Sequence, residues 1–194
     1  MISSVCIYCA SSNSIAPIYG DVAIKLANML VDNDIAIRFG AGNNGLMAKI
    51  ADTVVAKNKE KITGIIPRFM YEENWHHTGL SNLVITETMH ERKQLMVKDV
   101  DAVIALPGGI GTLEELLEII TWKQLGIFLQ PIIIVNTNNY FSPLLSMINK
   151  ASEENFMRKE HLNLFGVVDT VDEILKAIEE CPIYDISIRK FAAL

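Results

Sequence analysis

The stretch DAVIALPGGIGTLEELLEIITWKQLG, residues 101–126, decides the fold. It opens on an almost continuous apolar run, Ala102 to Leu106, which is typical of a strand covered on both faces. Pro107 to Gly111 follows, where glycine lets the chain turn sharply and lets a ligand approach the backbone closely. We therefore predict a buried strand that ends in a glycine turn.

The segment after the turn has the pattern of an amphipathic helix. Thr112 is a favourable N-cap residue, and Gly126 is placed to end the helix. A helix N-terminus presents free N–H groups and the positive end of the helix dipole, so this turn is a candidate anion site. Apolar residues at i, i+3, i+4 and i+7 predict one buried helix face, formed by Leu113, Leu116, Leu117 and Ile120.

The glycine turn differs from the common nucleotide loops. No Lys follows Gly111, as the phosphate loop of nucleoside triphosphatases requires, and the spacing is not that of the dinucleotide fingerprint. A tight turn with no ligand is the alternative. Three glycines followed by Thr112 exceed what a plain turn requires, and they favour a ligand that carries phosphate.

Strand and helix patterns alternate along the rest of the chain. Helices are predicted over 17–31, 45–57, 89–98, 140–151 and 153–159, with a last one after Thr170, whereas residues 69–80 have no regular pattern. The alternation predicts an α/β class: one doubly wound, Rossmann-like parallel sheet with helices on both faces, as a single domain over residues 1–194. About seven strands are expected, over 5–8, 35–39, 62–66, 83–86, 102–106, 131–135 and 165–168.

Composition narrows the functional class. The net charge of −6 argues against a nucleic-acid-binding surface. No signal pattern and no apolar run of membrane-spanning length occurs, so we expect a cytoplasmic protein that binds no membrane. The partly apolar tail from Pro182 to Leu194 is a candidate contact for a neighbouring chain.

Two local patterns have a functional and a structural interpretation. Cys6 and Cys9 have the spacing of a redox pair, but Cys6 falls inside a strand pattern, which favours buried thiols. With Cys181 they make three cysteines, too few for a disulfide framework. The adjacent His76 and His77 have no carboxylate or cysteine pattern around them, so we expect no metal site and no cofactor.

Three turns of small residues are predicted to meet at one edge of the sheet. In doubly wound sheets, ligands bind beyond the carboxyl ends of the strands, where the strand order reverses. The turns after strands one, two and five all lie at that edge. The predicted pocket is therefore formed by Ser11, Gly42, Gly45, Gly108, Gly109, Ile110, Gly111 and Thr112.

Charged residues next to these turns are candidates for chemistry. Arg92 and Lys93 begin a helix, where a solvated surface pair is the simplest explanation; a pocket-facing Arg92 would offer a fork of donors to phosphate or carboxylate. Glu115 completes a T-x-x-E capping box with Thr112, which would make it a helix cap. It also falls in the first turn of the helix, beside the anion site.

Four segments match motifs of one known family, in chain order: CGSS at 9–12, GGGxxGLM at 40–47, MxxRK at 89–93 and PGGxGTxxE at 107–115. Through these motifs the sequence resembles the Lonely Guy (LOG) family over roughly residues 4–180. It departs from the family pattern at Ala10 and Ala41, where Gly is usual, and each methyl group is expected near the ligand.

The resemblance implies hydrolysis of the N-glycosidic bond of a nucleoside 5′-monophosphate, AMP or an N6-modified AMP. It implies that Arg92 and Glu115 are the catalytic pair, and that substrate binding also involves Met89, Lys93 and Thr121. A nucleotide carrier or sensor without turnover is the alternative. Lysine decarboxylase, a label attached to PGGxGTxxE proteins, is disfavoured because no Lys has a recognisable pyridoxal phosphate context.

A homodimer is expected as well, as is usual for proteins of this family. The helices after strand four and after the glycine turn carry apolar residues beyond one buried stripe, namely Met89, Met96, Leu117 and Trp122.

Overall fold

Seven parallel strands form the centre of the computed structural model, which describes residues 2–182. All seven predicted strands are present, with ends within a residue or two of those expected. The tail, for which a contact with a neighbouring chain was predicted, lies outside the described residues from position 183 to the end. The strands are β1 (Ser4–Tyr8), β2 (Ala36–Phe39), β3 (Ile62–Pro67), β4 (Asn82–Thr86), β5 (Ala102–Ala105), β6 (Ile132–Val135) and β7 (Gly166–Val168).

The strand order β4-β3-β2-β1-β5-β6-β7 makes this a doubly wound sheet, as predicted. β1 pairs with β2 on one side and with β5 on the other, so the order reverses at β1. The connections leaving β1 and β5 therefore diverge at the carboxyl edge of the sheet and open a crevice there. This topology brings the turns after β1, β2 and β5 to one place.

The helices cover both faces of the sheet, and one predicted helix is wrong. Residues 153–159 do not form a helix, because the preceding helix ends at Glu153 and Asn155 takes a left-handed φ of 61°. The N–H groups of Asn155 and Phe156 return to carbonyls of the last turn, which closes the helix. The helices are α1 (Pro17–Asp32), α2 (Gly45–Asn58), α3 (Arg68–Glu72), α4 (Met89–Val97), α5 (Ile110–Gln124), α6 (Ser142–Glu153) and α7 (Ile174–Glu179).

Two core clusters, one on each face of the sheet, hold these layers together. The β5 and β6 strands are buried along their whole length, as their continuous apolar runs predict. Two side chains differ from expectation. Leu117, predicted on the buried face of its helix, is 42% exposed, and Met96, expected at a dimer surface, is buried in the core.

The segment 69–80 also differs from the expected irregular loop. Its first residues belong to the short helix α3, which begins directly after Pro67. The remainder is fixed to the turn after β2: Gly42 and His76 form a β-bridge, and the N–H of Asn43 donates to the carbonyl of Trp75. Among residues 2–182, no helix is long and apolar enough to cross a membrane.

Candidate active site

The N-terminus of α5 lies in the crevice between β1 and β5. The helix begins at Ile110 with Gly109 as its N-cap, so Thr112 is in the first turn and is not the cap that the sequence suggested. The first backbone bond is from the N–H of Leu113 to the carbonyl of Gly109. In the described chain, the N–H groups of Ile110, Gly111 and Thr112 form no backbone bond, and they are free for an anion.

The glycines of this turn serve two purposes. A Cβ on Gly108 would lie 2.1 Å from the Thr112 hydroxyl oxygen, so Gly108 allows Thr112 to fold back and become buried. Nothing lies within 4 Å of the Cβ positions of Gly109 and Gly111. This open side is where the helix N–H groups can be reached by a ligand.

Arg92 and Glu115 form an ion pair across the gap between α4 and α5. Nη1 of Arg92 donates to Oε1 of Glu115 at 2.8 Å, and the two side chains are only 8% and 11% exposed. Nε of Arg92 donates to the carbonyl of Ile65 on β3 at 3.2 Å. Glu115 is therefore committed to Arg92 and not to the capping box predicted with Thr112.

Gly40 makes room for this guanidinium, and it was missed among the predicted site residues. A Cβ at position 40 would lie 2.0 Å from Nη2 of Arg92 and 3.2 Å from Cζ. Any larger residue there would displace Arg92 from Glu115. The glycine-rich segment after β2 was the available signal, but its contact with Arg92 depends on packing across the sheet.

The environment of Glu115 shifts its ionisation. Burial raises the pKa of the Glu115 carboxyl above its ordinary value of 4.5, because the charged form loses hydration. The charge of Arg92 and its hydrogen bond act in the opposite direction but do not cancel the effect of burial. A carboxylate shifted upward in this way is a better proton acceptor near neutral pH.

Lys93 faces a different set of carboxylates from Arg92. Its Nζ lies 2.5 Å from Glu114 Oε1 and 2.9 Å from Glu118 Oε1, on the next turn of α5. The side chain is 7% exposed. Its amino group is thus neutralised by two carboxylates of the protein. It lies next to the Arg92–Glu115 pair but takes no part in that pair.

The turns after β1 and β2 form the other wall of the crevice. Gly45 has a φ of +61°, and a Cβ there would lie 2.6–2.7 Å from the backbone of Ser11 and Ser12. Gly42 is buried against Met47, whereas Ser11 is exposed. The N–H of Leu46 donates to the carbonyl of Ala10, which joins the two turns.

The sequence suggested that the Ala41 methyl group lies near the ligand, but in the structure this methyl group contacts strand β3. It has a φ of 61°, which is strained for a residue with a side chain, and it is fully buried. Its Cβ lies 2.7 Å from where a Cβ of Gly64 on β3 would be, so the methyl group points into the sheet. A side chain at position 64 would clash with this methyl group, so the glycine there leaves space for Ala41.

Met89 and Thr121 lie on exposed faces. Met89 begins α4 and is 39% exposed. Thr121 is exposed, and its hydroxyl donates to the carbonyl of Leu117 at 2.8 Å. It lies eleven residues after Ile110 in α5, roughly 16 Å along the helix axis. Within one chain, Thr121 is therefore separate from the glycine turn.

The remaining polar groups of the region are not gathered into a metal site. His77 pairs with Asp52 at 2.9 Å, and the ring of His76 stacks on Tyr71 with centroids 4.7 Å apart. Within residues 2–182, no three His, Cys, Asp or Glu side chains are placed to hold a metal ion. Cys6 and Cys9 are buried thiols, as the strand pattern predicted.

Two surface concavities lie away from Glu115. One of about 1150 Å³ is bounded by the C-terminal parts of α5 and α6 and by the segment 155–162, and one of about 620 Å³ lies between the ends of α4 and α5. Neither is lined by Arg92, Glu115 or the glycine turn. We favour the crevice because free N–H groups, a shifted carboxylate and a buried guanidinium meet there.

Fold and site together define an α/β protein of Rossmann-like class, and comparison with known proteins gives its family. A family model described as "Possible lysine decarboxylase" matches residues 47–178. "Probable cytokinin riboside 5'-monophosphate phosphoribohydrolase LOGL2" of Oryza sativa subsp. japonica is 39% identical over 91% of this chain and 72% of its own length. "Cytokinin riboside 5'-monophosphate phosphoribohydrolase LOG3" of Arabidopsis thaliana is also 39% identical, over 91% and 81%. The chain belongs to this family, the LOG family.

Solved structures share the fold at lower identity. The molybdenum cofactor carrier protein of Chlamydomonas reinhardtii has a TM-score of 0.67 at 13% identity, covering 93% of this chain and 98% of the other. The molybdenum cofactor binding protein of Rippkaea orientalis has a TM-score of 0.65 at 18% identity, covering 92% and 96%. At such identities the likeness concerns the fold alone.

The lysine decarboxylase description does not fit the residues of the site. Such chemistry requires an amine that can form a Schiff base with pyridoxal phosphate. The amino group of Lys93, beside the Arg92–Glu115 pair, is held by Glu114 and Glu118. Lys123 lies near the far end of α5, where its amino group donates to the carbonyl of Gln130.

The opposing effects of burial and Arg92 on Glu115 can be measured directly. We expect the Glu115 carboxyl to titrate above 4.5, and Arg92→Gln to raise its pKa further, because the nearest cation is lost. NMR titration of ¹³C-labelled glutamate side chains is the measurement. Lys93→Gln is the matched control and should change the pKa less, since Lys93 pairs with other carboxylates. Equal shifts in both variants would contradict the assignment.

Proposed function

We propose that this protein hydrolyses the N-glycosidic bond of a nucleoside 5′-monophosphate, releasing the free base and ribose 5-phosphate. The substrate class is AMP or an N6-modified AMP such as a cytokinin riboside monophosphate. The observation that carries the proposal is the buried pair of Arg92 on α4 with Glu115 in the second turn of α5, a helix whose first N–H groups are free. The names of the relatives in Oryza and Arabidopsis support the same reaction.

Phosphate binding at the start of α5 orients the sugar. The N–H groups of residues 109–112 and the positive end of the helix dipole attract the phosphate. Glu115 is only one turn further along the same helix, so a ribose extending from that phosphate presents C1′ to its carboxylate. Fixing the sugar at both points removes rotational freedom before the bond breaks.

Glu115 and water complete the reaction. The bond from C1′ to the base nitrogen breaks, its electron pair leaves with the base, and positive charge develops on the ribose. The Glu115 carboxylate stabilises that charge and accepts a proton from the water whose oxygen attacks C1′. The base takes up a proton from solvent as it leaves, and Glu115 releases the proton that it accepted to solvent. We assign to Arg92 the role of holding Glu115 in place and ionised.

We also propose roles for the other residues that the sequence analysis assigned to substrate binding. Ser11, Gly42 and Gly45 form the wall opposite α5, where the sugar and base would lie. Met89 on α4 and Thr121 on α5 are exposed, whereas Lys93 is buried and paired with Glu114 and Glu118. We propose that Met89 and Thr121 act at a site shared with a second copy of the chain, and that Lys93 supports this site by joining α4 to α5. A carrier that performs no turnover has less support, because it would not require a buried carboxylate with a raised pKa.

We propose a homodimer packed through the outer face of α5. Ile110 and Leu117 on α5 are 82% and 42% exposed, and Met89 at the start of α4 is 39% exposed. Met96 belongs to the core instead, and Trp122 packs partly against it, so neither is central to this surface.

We place the protein in the cytoplasm, since a charged nucleotide does not cross membranes unaided.

Replacement of Glu115 tests the catalytic role. Glu115→Gln keeps the shape of the side chain and an acceptor for Arg92, but removes the charge and the basic oxygen. We expect AMP turnover, measured by chromatography of the released base, to fall at least about 100-fold with the melting temperature preserved. Glu114→Gln is the matched control, because Glu114 pairs with Lys93 and is 51% exposed. A Glu115→Gln enzyme as active as Glu114→Gln would exclude the proposed role.

Comparison of AMP with adenosine tests the phosphate anchor. Without its phosphate the substrate loses several charge-assisted hydrogen bonds, each contributing about 1.5–3 kcal/mol. We expect kcat/KM for adenosine to be lower than for AMP by at least about 100-fold. Comparable values for the two substrates would remove the anion site from the mechanism.

Light scattering at micromolar concentration tests the dimer. The wild-type protein should have twice the mass of one chain, and Leu117→Lys should dissociate it by placing a charge on the α5 face. Leu129→Lys is the control, because Leu129 is 54% exposed but lies in the loop after α5. A wild-type monomer, or equal masses for the two variants, would contradict this interface.

A further inference from the structure

The loop between β6 and α6 brings an aromatic side chain to the glycine turn. The hydroxyl of Tyr140 donates a hydrogen bond to the carbonyl of Gly108 at 2.5 Å. Its ring makes edge-to-face contacts with Tyr19 on α1 and with Phe141, with centroids 6.0 and 5.2 Å apart. Tyr140 thus connects α1, the loop after β6 and the turn after β5.

The loop that carries Tyr140 is held in a strained conformation. Asn138 and Asn139 both have left-handed φ values, 53° and 57°, which asparagine tolerates better than most residues. The Asn136 carboxamide accepts a bond from the N–H of Phe141 at 2.8 Å and donates to the Ser142 hydroxyl. Such strain persists only where the surroundings enforce it, and it is often found at functional sites.

The bond to Gly108 determines where the next N–H points. The carbonyl of Gly108 and the N–H of Gly109 belong to one peptide group, and in a planar trans peptide they point in opposite directions. Holding the carbonyl toward Tyr140 therefore turns the Gly109 N–H away from Tyr140. Thr112 lies against the Gly108 side of this peptide, but nothing lies within 4 Å of a Cβ at Gly109, so the Gly109 side is not held by side-chain packing. Between two glycines, the hydroxyl of Tyr140 adds a restraint on the rotation of the peptide.

We propose that Tyr140 is a positioning residue for the phosphate, acting through the Gly108–Gly109 peptide. With the hydrogen bond in place, the Gly109 N–H joins those of Ile110, Gly111 and Thr112 in facing the anion. If the peptide rotates, the carbonyl turns toward the phosphate and repels it. This proposal rests on one part of the proposed function, the binding of the phosphate of a nucleoside monophosphate by this turn.

The experiment compares Tyr140→Phe with Tyr19→Phe. Both variants remove one hydroxyl from the same pair of contacting rings, but only Tyr140 is bonded to Gly108. Three quantities are measured for each protein: the KM and the kcat for AMP, and the dissociation constant of ribose 5-phosphate by titration calorimetry. Loss of one hydrogen bond that orients a binding group should weaken phosphate binding about three- to tenfold. We expect this increase in both KM and the dissociation constant for Tyr140→Phe, with kcat within about twofold of wild type.

The outcomes separate this proposal from the proposed function. Wild-type binding of ribose 5-phosphate that weakens in Tyr140→Phe but not in Tyr19→Phe supports the positioning role, even if AMP is not hydrolysed. In that case the proposed function fails and the positioning role stands. Unchanged binding in Tyr140→Phe, equal weakening in both variants, a fall in kcat alone, or no binding by the wild type overturns the positioning role.

Discussion

The ion pair between Arg92 and Glu115 is the interaction on which the site depends. A buried pair of charges loses hydration on both sides, and this loss can exceed the attraction gained, so stability alone is a weak reason to keep it. Here three elements support the pair: β3 through the carbonyl of Ile65, the turn after β2 through the space left by Gly40, and the second turn of α5, which carries Glu115. The net upward shift in the pKa of Glu115 is the chemical consequence.

The sheet topology explains why these groups meet. Because the strand order reverses at β1, the turns after β1, β2 and β5 open onto one crevice. The glycine turn supplies unpaired N–H groups there, and α5 carries Glu115 one turn away. The second ion-pair set, Lys93 with Glu114 and Glu118, joins α4 and α5 beside the first. It holds the two helices in register, which keeps Arg92 opposite Glu115.

Local patterns in the sequence were sufficient for the fold. An apolar run such as that of β5 or β6 is visible in consecutive residues, so all seven strands could be predicted. The errors have long-range or conformational causes. Thr112 is a favourable cap by type, but the backbone enters the helix three residues earlier at Gly109. Nothing in the sequence indicates that Asn155 will adopt a left-handed conformation and end α6.

The site was predictable in its residue types but not in its contacts. Motif resemblance pointed to Arg92 and Glu115, yet the alternative capping box could be removed only by seeing Glu115 bonded to Arg92, 23 positions away. Gly40 under Arg92 and Tyr140 on Gly108 are contacts between distant parts of the chain. The burial of the Ala41 methyl group against Gly64 likewise depends on strand pairing.

A crystal structure of Glu115→Gln with AMP bound tests the central claim most directly, because it measures where the sugar lies relative to residue 115. The account predicts phosphate oxygens in hydrogen-bond contact with the N–H groups of residues 109–112. It also predicts C1′ within about 3.5 Å of the residue 115 side chain, as a reacting pair requires. A phosphate bound elsewhere, or a C1′ on the far side of the crevice from residue 115, would contradict it.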